Sequence, residues 1–166
     1  MSTTMRVTHQ LAGDVETVAA LLTDPAFLER KFAASGATDI TVAAEDLPDG
    51  GKHLVIRRKV TVDLPGFAAK FIQPTNTLVQ TEDWAPPTGD GRRLVTYRVD
   101  VQGVPSRIDG TVSLSPDAGG TRQEVEAQVK VSIPLAGGKL EKLAVDSGTS
   151  LLREEAEFTN RELASR

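Results

Sequence analysis

The sequence contains no cysteine, few aromatic residues and only two histidines. Without cysteine the chain forms no disulfide, thiolate nucleophile, zinc ribbon or iron–sulfur cluster. His9 and His53 lie far apart in the sequence and offer little for metal or catalytic-triad chemistry. A Walker loop, a dinucleotide-binding glycine fingerprint, a His-Glu-x-x-His motif and a Gly-x-Ser-x-Gly motif are also missing. A metalloenzyme or a common hydrolase is therefore not expected, and no metal or cofactor is predicted.

Long apolar runs and an excess of positive charge are missing as well. No stretch approaches the roughly 20 apolar residues that span a bilayer, and residues 1–10 lack the pattern of a secretory signal. These features predict a cytoplasmic protein with no transmembrane segment. The net charge of −4 argues against a general nucleic-acid-binding protein, which needs a dominant positive field. The basic runs at 57–59 and 92–93 are expected on a solvated face or edge of a sheet, and strand alternation separates Arg57 and Lys59 from Arg58.

The rest of the composition is that of a globular protein. The 166 residues, 39% of them hydrophobic and 25% charged, suit one domain spanning residues 1–166. A chain of this length buries about 70% of the surface that its unfolded form exposes. The predicted core therefore needs no disulfide or metal to hold it together.

Hydrophobic periodicity divides the chain into strands and helices. Residues 5–11 alternate as a half-buried strand, and two short helices follow, the second with Asp24 as its N-cap and Pro25 in its first turn. Six more strands are predicted at residues 39–47, 52–63, 76–84, 93–101, 106–115 and 121–133. A final amphipathic helix of about 27 residues, about 40 Å long, must lie across the whole sheet. Strands joined by short turns, each with one polar face, predict an antiparallel sheet and an α+β fold.

Several segments carry a resemblance to a known superfamily. They are residues 15–25 after the first strand, Gly119-Gly120-Thr121 before the last strand, residues 133–141 entering the last helix, the segment 64–67, and Trp84. With the element order, they resemble the helix-grip fold of START lipid-transfer domains, polyketide cyclase/dehydrase-like proteins and birch-pollen-type allergens (the SRPBCC superfamily). The likeness is strongest to an uncharacterised bacterial branch of unknown function. The resemblance implies a curved seven-stranded sheet around the C-terminal helix, with an apolar cavity between them. No catalytic residue pattern comes with it, and the fold hosts binders, transporters, cyclases and dehydratases.

Four polar residues on predicted inward faces are candidate ligand contacts. His9 is either a general base or hydrogen-bond partner for a ligand, or a buried histidine paired to a backbone carbonyl. Arg58 interrupts an apolar face, so it should meet an anionic ligand group or a carboxylate such as Glu155, unless the strand bends and Arg58 reaches solvent. Tyr97 either donates a proton to a carbonyl or is a core aromatic with one hydrogen bond.

The candidate apolar contacts come from strands, a loop and the last helix. The expected cavity walls are Val60, Val95, Val99, Ile108, Val112, Val129, Leu151 and Phe158. Trp84 ends the strand at residues 76–84, and the sequence leaves open which face of that strand points inward. Trp84 therefore lies either in the core or on the cavity wall. Phe67 and Phe71 form a lid at the entrance, make a transient membrane contact or fold into a satellite core. Ser147 either makes room for a ligand or permits close packing of the helix on the sheet.

Three functions follow from these observations, in order of preference. The first is non-catalytic binding or carrying of a small hydrophobic ligand of lipid, polyketide or isoprenoid type. The second is a cyclase- or dehydratase-like enzyme that uses Tyr97, His9 and Arg58 for proton transfer and oxyanion stabilisation. The third is a regulatory protein-interaction module with a vestigial cavity. A small apolar molecule is the expected partner, nucleic acid is not, and the protein is a monomer or a homodimer.

Overall fold

The computed structural model describes residues 1–166, which form seven strands, three helices and one 3₁₀ turn. The strands are β1 (Thr3–Leu11), β2 (Thr38–Asp46), β3 (Lys52–Thr61), β4 (Thr75–Trp84), β5 (Arg93–Val101), β6 (Ser106–Asp117) and β7 (Gly120–Val131). The helices are α1 (Val15–Leu22), α2 (Pro25–Ala34) and α3 (Gly137–Ala164), and the 3₁₀ turn is Ala68–Lys70. The order of strands and helices is the predicted one. A 3₁₀ turn lies in the expected loop, and the strand ends differ from the predicted ones by at most two residues.

All seven strands belong to one antiparallel sheet, in the order β1-β7-β6-β5-β4-β3-β2. Strands β2 to β6 each pair with the strand next in sequence, and β1 pairs with β7. The two edges are therefore β1 and β2. Near the start of β2 the register shifts between Thr38 and Thr41, where Asp39 has a φ of 49°. The α+β fold, with a curved seven-stranded antiparallel sheet and a long C-terminal helix, is confirmed.

Helices α1 and α2 begin at aspartates that satisfy free backbone N–H groups. The Asp14 side chain accepts a hydrogen bond from the Thr17 N–H at 2.8 Å, and Asp24 accepts one from the Ala26 N–H at 3.3 Å. The hydrogen bond lowers the pKa of Asp14. Pro25 occupies the first turn of α2, where the proline ring costs no hydrogen bond. These caps fix where the two short helices start and so which of their faces is buried.

The largest part of the core lies where α1 and α2 meet the sheet. It joins buried apolar side chains of both helices to inward residues of β1, β3, β4, β5 and β6. Phe27, Val18 and Leu54 in this cluster are fully buried. A second cluster packs the 3₁₀ turn and the end of β7 under the first turns of α3 through Ala68, Val131 and Leu140. The clusters hold the sheet and α3 together at two places.

One prediction about the basic runs is wrong for Arg93. Arg93 is buried, because it faces the same side of β5 as Val95. Its guanidinium donates to the Ala85 carbonyl at 2.9 Å and to Glu16 Oε2 at 3.2 Å. Arg93 therefore ties α1 to the β4–β5 turn.

None of the helices is long and apolar enough to cross a membrane.

Candidate functional site

A cavity lies between the inner face of the sheet and α3. Its walls come from every strand except β2 and from all three helices. The volume available to the centre of a water molecule is about 210 Å³, well above the roughly 10–15 Å³ that one water needs. Most of the lining side chains are hydrophobic. The sheet and α3 therefore enclose an apolar space large enough for a small molecule.

Ten of the predicted contact residues border this cavity: Arg58, Trp84, Val95, Tyr97, Val99, Ile108, Val112, Val129, Leu151 and Glu155. The strand members reach it because alternate side chains of each strand point to the same face. The structure also decides the face of β4, which the sequence left open. Leu78, Gln80, Glu82 and Trp84 point into the cavity.

His9 and Val60 lie outside the lining. His9 stands opposite Gln123 across the β1–β7 pair, and its Nδ1 is 3.4 Å from Gln123 Oε1. Gln123 borders the cavity instead of His9. The partner of His9 is therefore the Gln123 side chain and not a backbone carbonyl. Val60 is half-buried near the end of β3, whose one lining residue is Arg58.

The helix face predicted from periodicity is rotated slightly from the one that meets the cavity. The lining residues of α3 are Ala144, Gly148, Leu151, Leu152, Glu155, Ala156 and Thr159. This spacing of three and four residues leaves Ser147 exposed. It also turns Phe158 toward α2, where its ring centroid lies 5.8 Å from that of Phe27. Ser147 and Phe158 are therefore not part of the cavity wall.

Phe67 and Phe71 flank the 3₁₀ turn and are exposed. Beneath them, Ala68 packs on the first turns of α3, as a satellite core would. The Lys139 ammonium nitrogen lies 5.8 Å from the centre of the Phe67 ring. Neither phenylalanine borders the cavity.

Arg58 is the best-defined polar group of the site. It is 6% exposed, so the alternative in which the strand bends and Arg58 reaches solvent is wrong. Its guanidinium carbon lies 4.4 Å from the centre of the Phe32 ring, and its Nη2 donates to Gln80 Oε1 at 3.2 Å. Burial lowers the pKa of Arg58, while the charges of Glu155 and Glu82 oppose that effect. Its Nη1 is buried without a hydrogen-bond partner.

Glu82 ends a short chain of hydrogen bonds along β4. Its Oε2 accepts from Gln80 Nε2 at 2.5 Å, and its Oε1 accepts from the Trp84 indole N–H at 2.9 Å. Gln80 in turn accepts from Arg58, so three alternate residues of β4 present a connected polar strip within an apolar wall. Both oxygens of the Glu82 carboxylate already have donors.

A buried ion pair joins α2 to α3. Lys31 Nζ lies 3.7 Å from Glu155 Oε1, and both residues are buried and border the cavity. Lys31 Nζ also lies 5.0 Å from the centre of the Phe32 ring. Glu155 was predicted as the partner of Arg58, but the ion pair that it forms is with Lys31. Glu155 still faces Arg58 closely enough to be the larger of the two charges that raise the pKa of Arg58.

Tyr97 stands opposite Glu82 on β4 and opposite Gly110 on β6. A Cβ atom at Gly110 would lie 2.6 Å from Tyr97 Cζ, so the ring covers the glycine closely. Burial, followed by the charge of Glu82, raises the pKa of Tyr97 to about 12, and no hydrogen bond contributes to the shift. The phenol therefore stays protonated at neutral pH and is available as a donor in the cavity wall.

Lys31, Gln80, Glu82 and Gln123 border the cavity but were not among the predicted contacts. A helical pattern could have revealed Lys31, because it lies three residues after Leu28 and next to Phe32 on the buried face of α2. Gln80 and Glu82 lie on the same face of β4 as Trp84. An inward assignment of that tryptophan would therefore have placed both residues in the cavity wall. For Gln123 the sequence offers no signal beyond its parity with Val125.

Comparisons with known proteins agree with this architecture. The ZhuI aromatase/cyclase of a Streptomyces species superposes with a TM-score of 0.63 at 14% identity, covering 98% of this chain and 96% of that one. Protein TTHA0849 of Thermus thermophilus gives a TM-score of 0.60 at 18% identity, covering 98% and 99%. At these identities the likeness concerns the fold alone.

Relatives are also found by sequence. The uncharacterized protein Rv0481c of Mycobacterium tuberculosis is 28% identical over 123 residues, which is 72% of this chain and 70% of the relative. The pattern of the family described as "Protein of unknown function (DUF2505)" matches residues 6–163. The match covers nearly the whole chain, and this protein therefore belongs to the DUF2505 family.

Proposed function

We propose that this protein binds or carries a small hydrophobic molecule of lipid, polyketide or isoprenoid type in the cavity between the sheet and α3. The observation that carries the proposal is the cavity itself, about 210 Å³ in volume and lined mostly by apolar side chains. Protein interiors are otherwise close-packed. This space is partly open to solvent, and apolar side chains that line it lack the contacts that a packed interior supplies, which costs stability. A ligand that fills the space recovers part of that cost.

The few polar groups in the wall suit the orientation of such a ligand. Arg58 and Tyr97 present donors, Gln80 and Glu82 form the strip beside them, and apolar side chains of β5 to β7 and α3 make up the rest. Small-molecule sites commonly combine apolar walls with a small number of placed polar groups. The apolar surface would supply affinity, and the donors would fix which end of the ligand enters first.

Trp84 provides the readout for a direct test. It is the single tryptophan of the chain and borders the cavity, so a bound chromophore changes its fluorescence. N-phenyl-1-naphthylamine, a neutral apolar dye, is expected to quench Trp84 emission saturably. Ala144→Phe places a ring in the cavity and should weaken dye binding at least about tenfold, since the side chain displaces the dye from an apolar space.

The control for that variant lies one turn along the same helix. Ser147→Phe adds the same ring at an exposed position outside the lining and should leave dye binding unchanged. Absence of saturable binding to the unmodified protein contradicts the proposal. Equal affinity in all three proteins contradicts the assignment of binding to this cavity.

A cyclase- or dehydratase-like enzyme is the second candidate. It is favoured by one observation, the presence of two unused donors, Arg58 Nη1 and the Tyr97 hydroxyl, in one cavity wall. His9, the third residue of that hypothesis, lies outside the lining. For an enzyme, Tyr97→Phe should abolish turnover of a cyclisable substrate without changing its affinity, whereas for a carrier no substrate is converted by either protein.

A further inference from the structure

Arg58 is held in place with part of its hydrogen-bonding capacity unused. The Phe32 ring lies against the guanidinium at 4.4 Å and Gln80 accepts from Nη2, so the plane and direction of the fork are fixed. Nη1 has no partner and is buried. An unsatisfied buried donor on a charged group is costly, and such groups are rare in folded proteins. The site therefore contains a donor on a charged group that no protein atom satisfies.

No carboxylate of the protein accepts from that donor. Both oxygens of Glu82 accept hydrogen bonds from Gln80 and Trp84, and Glu155 forms its ion pair with Lys31. No carboxylate oxygen of Glu82 or Glu155 comes within 4.0 Å of a guanidinium nitrogen of Arg58. Arg58 borders the cavity, so a ligand bound there lies beside this side chain.

Lys31 adds a second cation to the same corner. Its ammonium lies 5.0 Å from the Phe32 ring that Arg58 covers, and its contact with Glu155 is loose at 3.7 Å. An ammonium carries three donors, and this one has a single nearby carboxylate oxygen. Glu155 and Glu82 balance these two cations in charge. The cations nevertheless keep donors that neither carboxylate takes up, and an anionic oxygen fits such charged donors better than a neutral one.

We infer that the ligand of this cavity is an apolar carboxylic acid, bound with its carboxylate at Arg58 and its hydrocarbon part along the apolar wall. This inference rests on the proposed function, because it names the chemical class of the molecule in that same cavity. A carboxylate matches the fork of a guanidinium in geometry as well as in charge. An ester of the same acid offers a carbonyl oxygen but no charge. A comparison of the affinities of acid and ester therefore separates recognition of the charge from the fit of the apolar part.

The test is displacement of N-phenyl-1-naphthylamine from the unmodified protein. The competitors are octanoic, decanoic, dodecanoic and 2-naphthoic acids, each paired with its methyl ester. We expect at least one acid to displace the dye about tenfold more tightly than its ester. Bound dye that acids and esters displace equally, or that no acid displaces, overturns the carboxylic-acid inference and leaves the binding function standing. Failure of the dye to bind overturns the binding function and the inference together.

Variants on β3 locate the effect. Arg58→Met keeps an apolar stem and removes the charge, so the affinity for the acid should fall about tenfold while the affinity for the ester stays the same. Arg57→Met is the matched control, because Arg57 precedes Arg58 on β3 and its side chain is exposed on the opposite face of the strand. Arg58→Lys, which retains the charge without the planar fork, should lose less than Arg58→Met and serves if the methionine variant does not fold. An acid preference that is undiminished in folded Arg58→Met, or in Arg58→Lys where the methionine variant does not fold, overturns the inference.

Discussion

Tyr97 shows how one residue in the wall reports on its surroundings. Its ring packs on Gly110 across the β5–β6 pair, where any larger residue would collide with the ring and with the Glu126 carbonyl. Aromatic side chains often cover glycine in sheets in this way. The close fit shields part of the ring from solvent, and the same side chain borders the cavity.

The pKa of Tyr97 can be measured directly because the chain has a single tyrosine. Burial and the charge of Glu82 raise that pKa to about 12, from an ordinary value of 10.0. The tyrosinate absorbance of the folded protein should therefore appear near pH 12, and that of the urea-unfolded chain near pH 10. The neutral phenol favours the folded state below pH 10, and this contribution is lost as the pH rises toward 12. A folded protein that titrates with the unfolded chain would show that Tyr97 is solvated.

Individual residues also mark what the sequence could predict. Arg58, Tyr97 and Glu155 were placed on inward faces by strand alternation and helix periodicity, and all three border the cavity. The partner of Glu155 was beyond such reasoning, because Lys31 lies on another element and the distance between them depends on how α2 packs on α3. His9 shares its face of β1 with the lining residues Met5 and Leu11, but parity alone does not show that Gln123, opposite His9 on β7, borders the cavity instead.

At the level of elements, Glu141 anchors α3 to the sheet. Its Oε2 accepts from the Val131 N–H at 2.9 Å and its Oε1 from the Thr3 hydroxyl at 2.8 Å. Burial by itself would raise the pKa of Glu141, but these hydrogen bonds and the charges of Lys130 and the N-terminal amino group bring it below the ordinary value of 4.5. One carboxylate thus joins the start of α3 to β1 and β7.

Replacement of Glu141 should weaken this junction in a pH-dependent way. A lowered pKa in the folded state means that ionised Glu141 stabilises the fold above about pH 4.5 and that the contribution is lost as the pH falls through the lowered pKa. Glu141→Gln is therefore expected to cost about 1–3 kcal/mol in urea unfolding at neutral pH, and less in acid. Glu154→Gln, at an exposed position of the same helix, should follow the unmodified protein at both pH values. A cost for Glu141→Gln that does not change with pH would rule out the ionised anchor.

Elements were predicted more accurately than their contacts. Strand β7 alternates apolar and polar residues from Val125 to Val131, so its inward face was clear over that stretch. Strand β4 was ambiguous because its cavity face carries Gln80 and Glu82, and a polar site inside an apolar wall defeats a hydrophobic pattern. In α3 a real turn of 3.6 residues leaves neighbouring positions near the edge of a face, which is why Phe158 and Ser147 were assigned to the wrong side of that edge.

At the scale of the molecule, the sheet and α3 enclose a space that the side chains do not fill. Small residues on α3 contribute to it, since Ala144 and Gly148 stand where larger side chains would close the gap. A Cβ atom at Gly148 would lie 3.3 Å from Met5 Sδ, so the glycine also lets α3 approach β1. Element order was predictable from periodicity, but an unfilled interior was not, because the volume depends on how several side chains pack at once. The expectation of a cavity came from the family resemblance.

Native mass spectrometry of the purified protein tests the central claim most directly. The protein is incubated with the apolar acids and their esters, and the masses of native and denatured protein are compared. We expect a one-to-one adduct that disappears on denaturation, forms with Ser147→Phe and does not form with Ala144→Phe. A native spectrum that shows no adduct with any of these compounds, or an adduct that forms equally with Ala144→Phe, would contradict a ligand cavity between the sheet and α3.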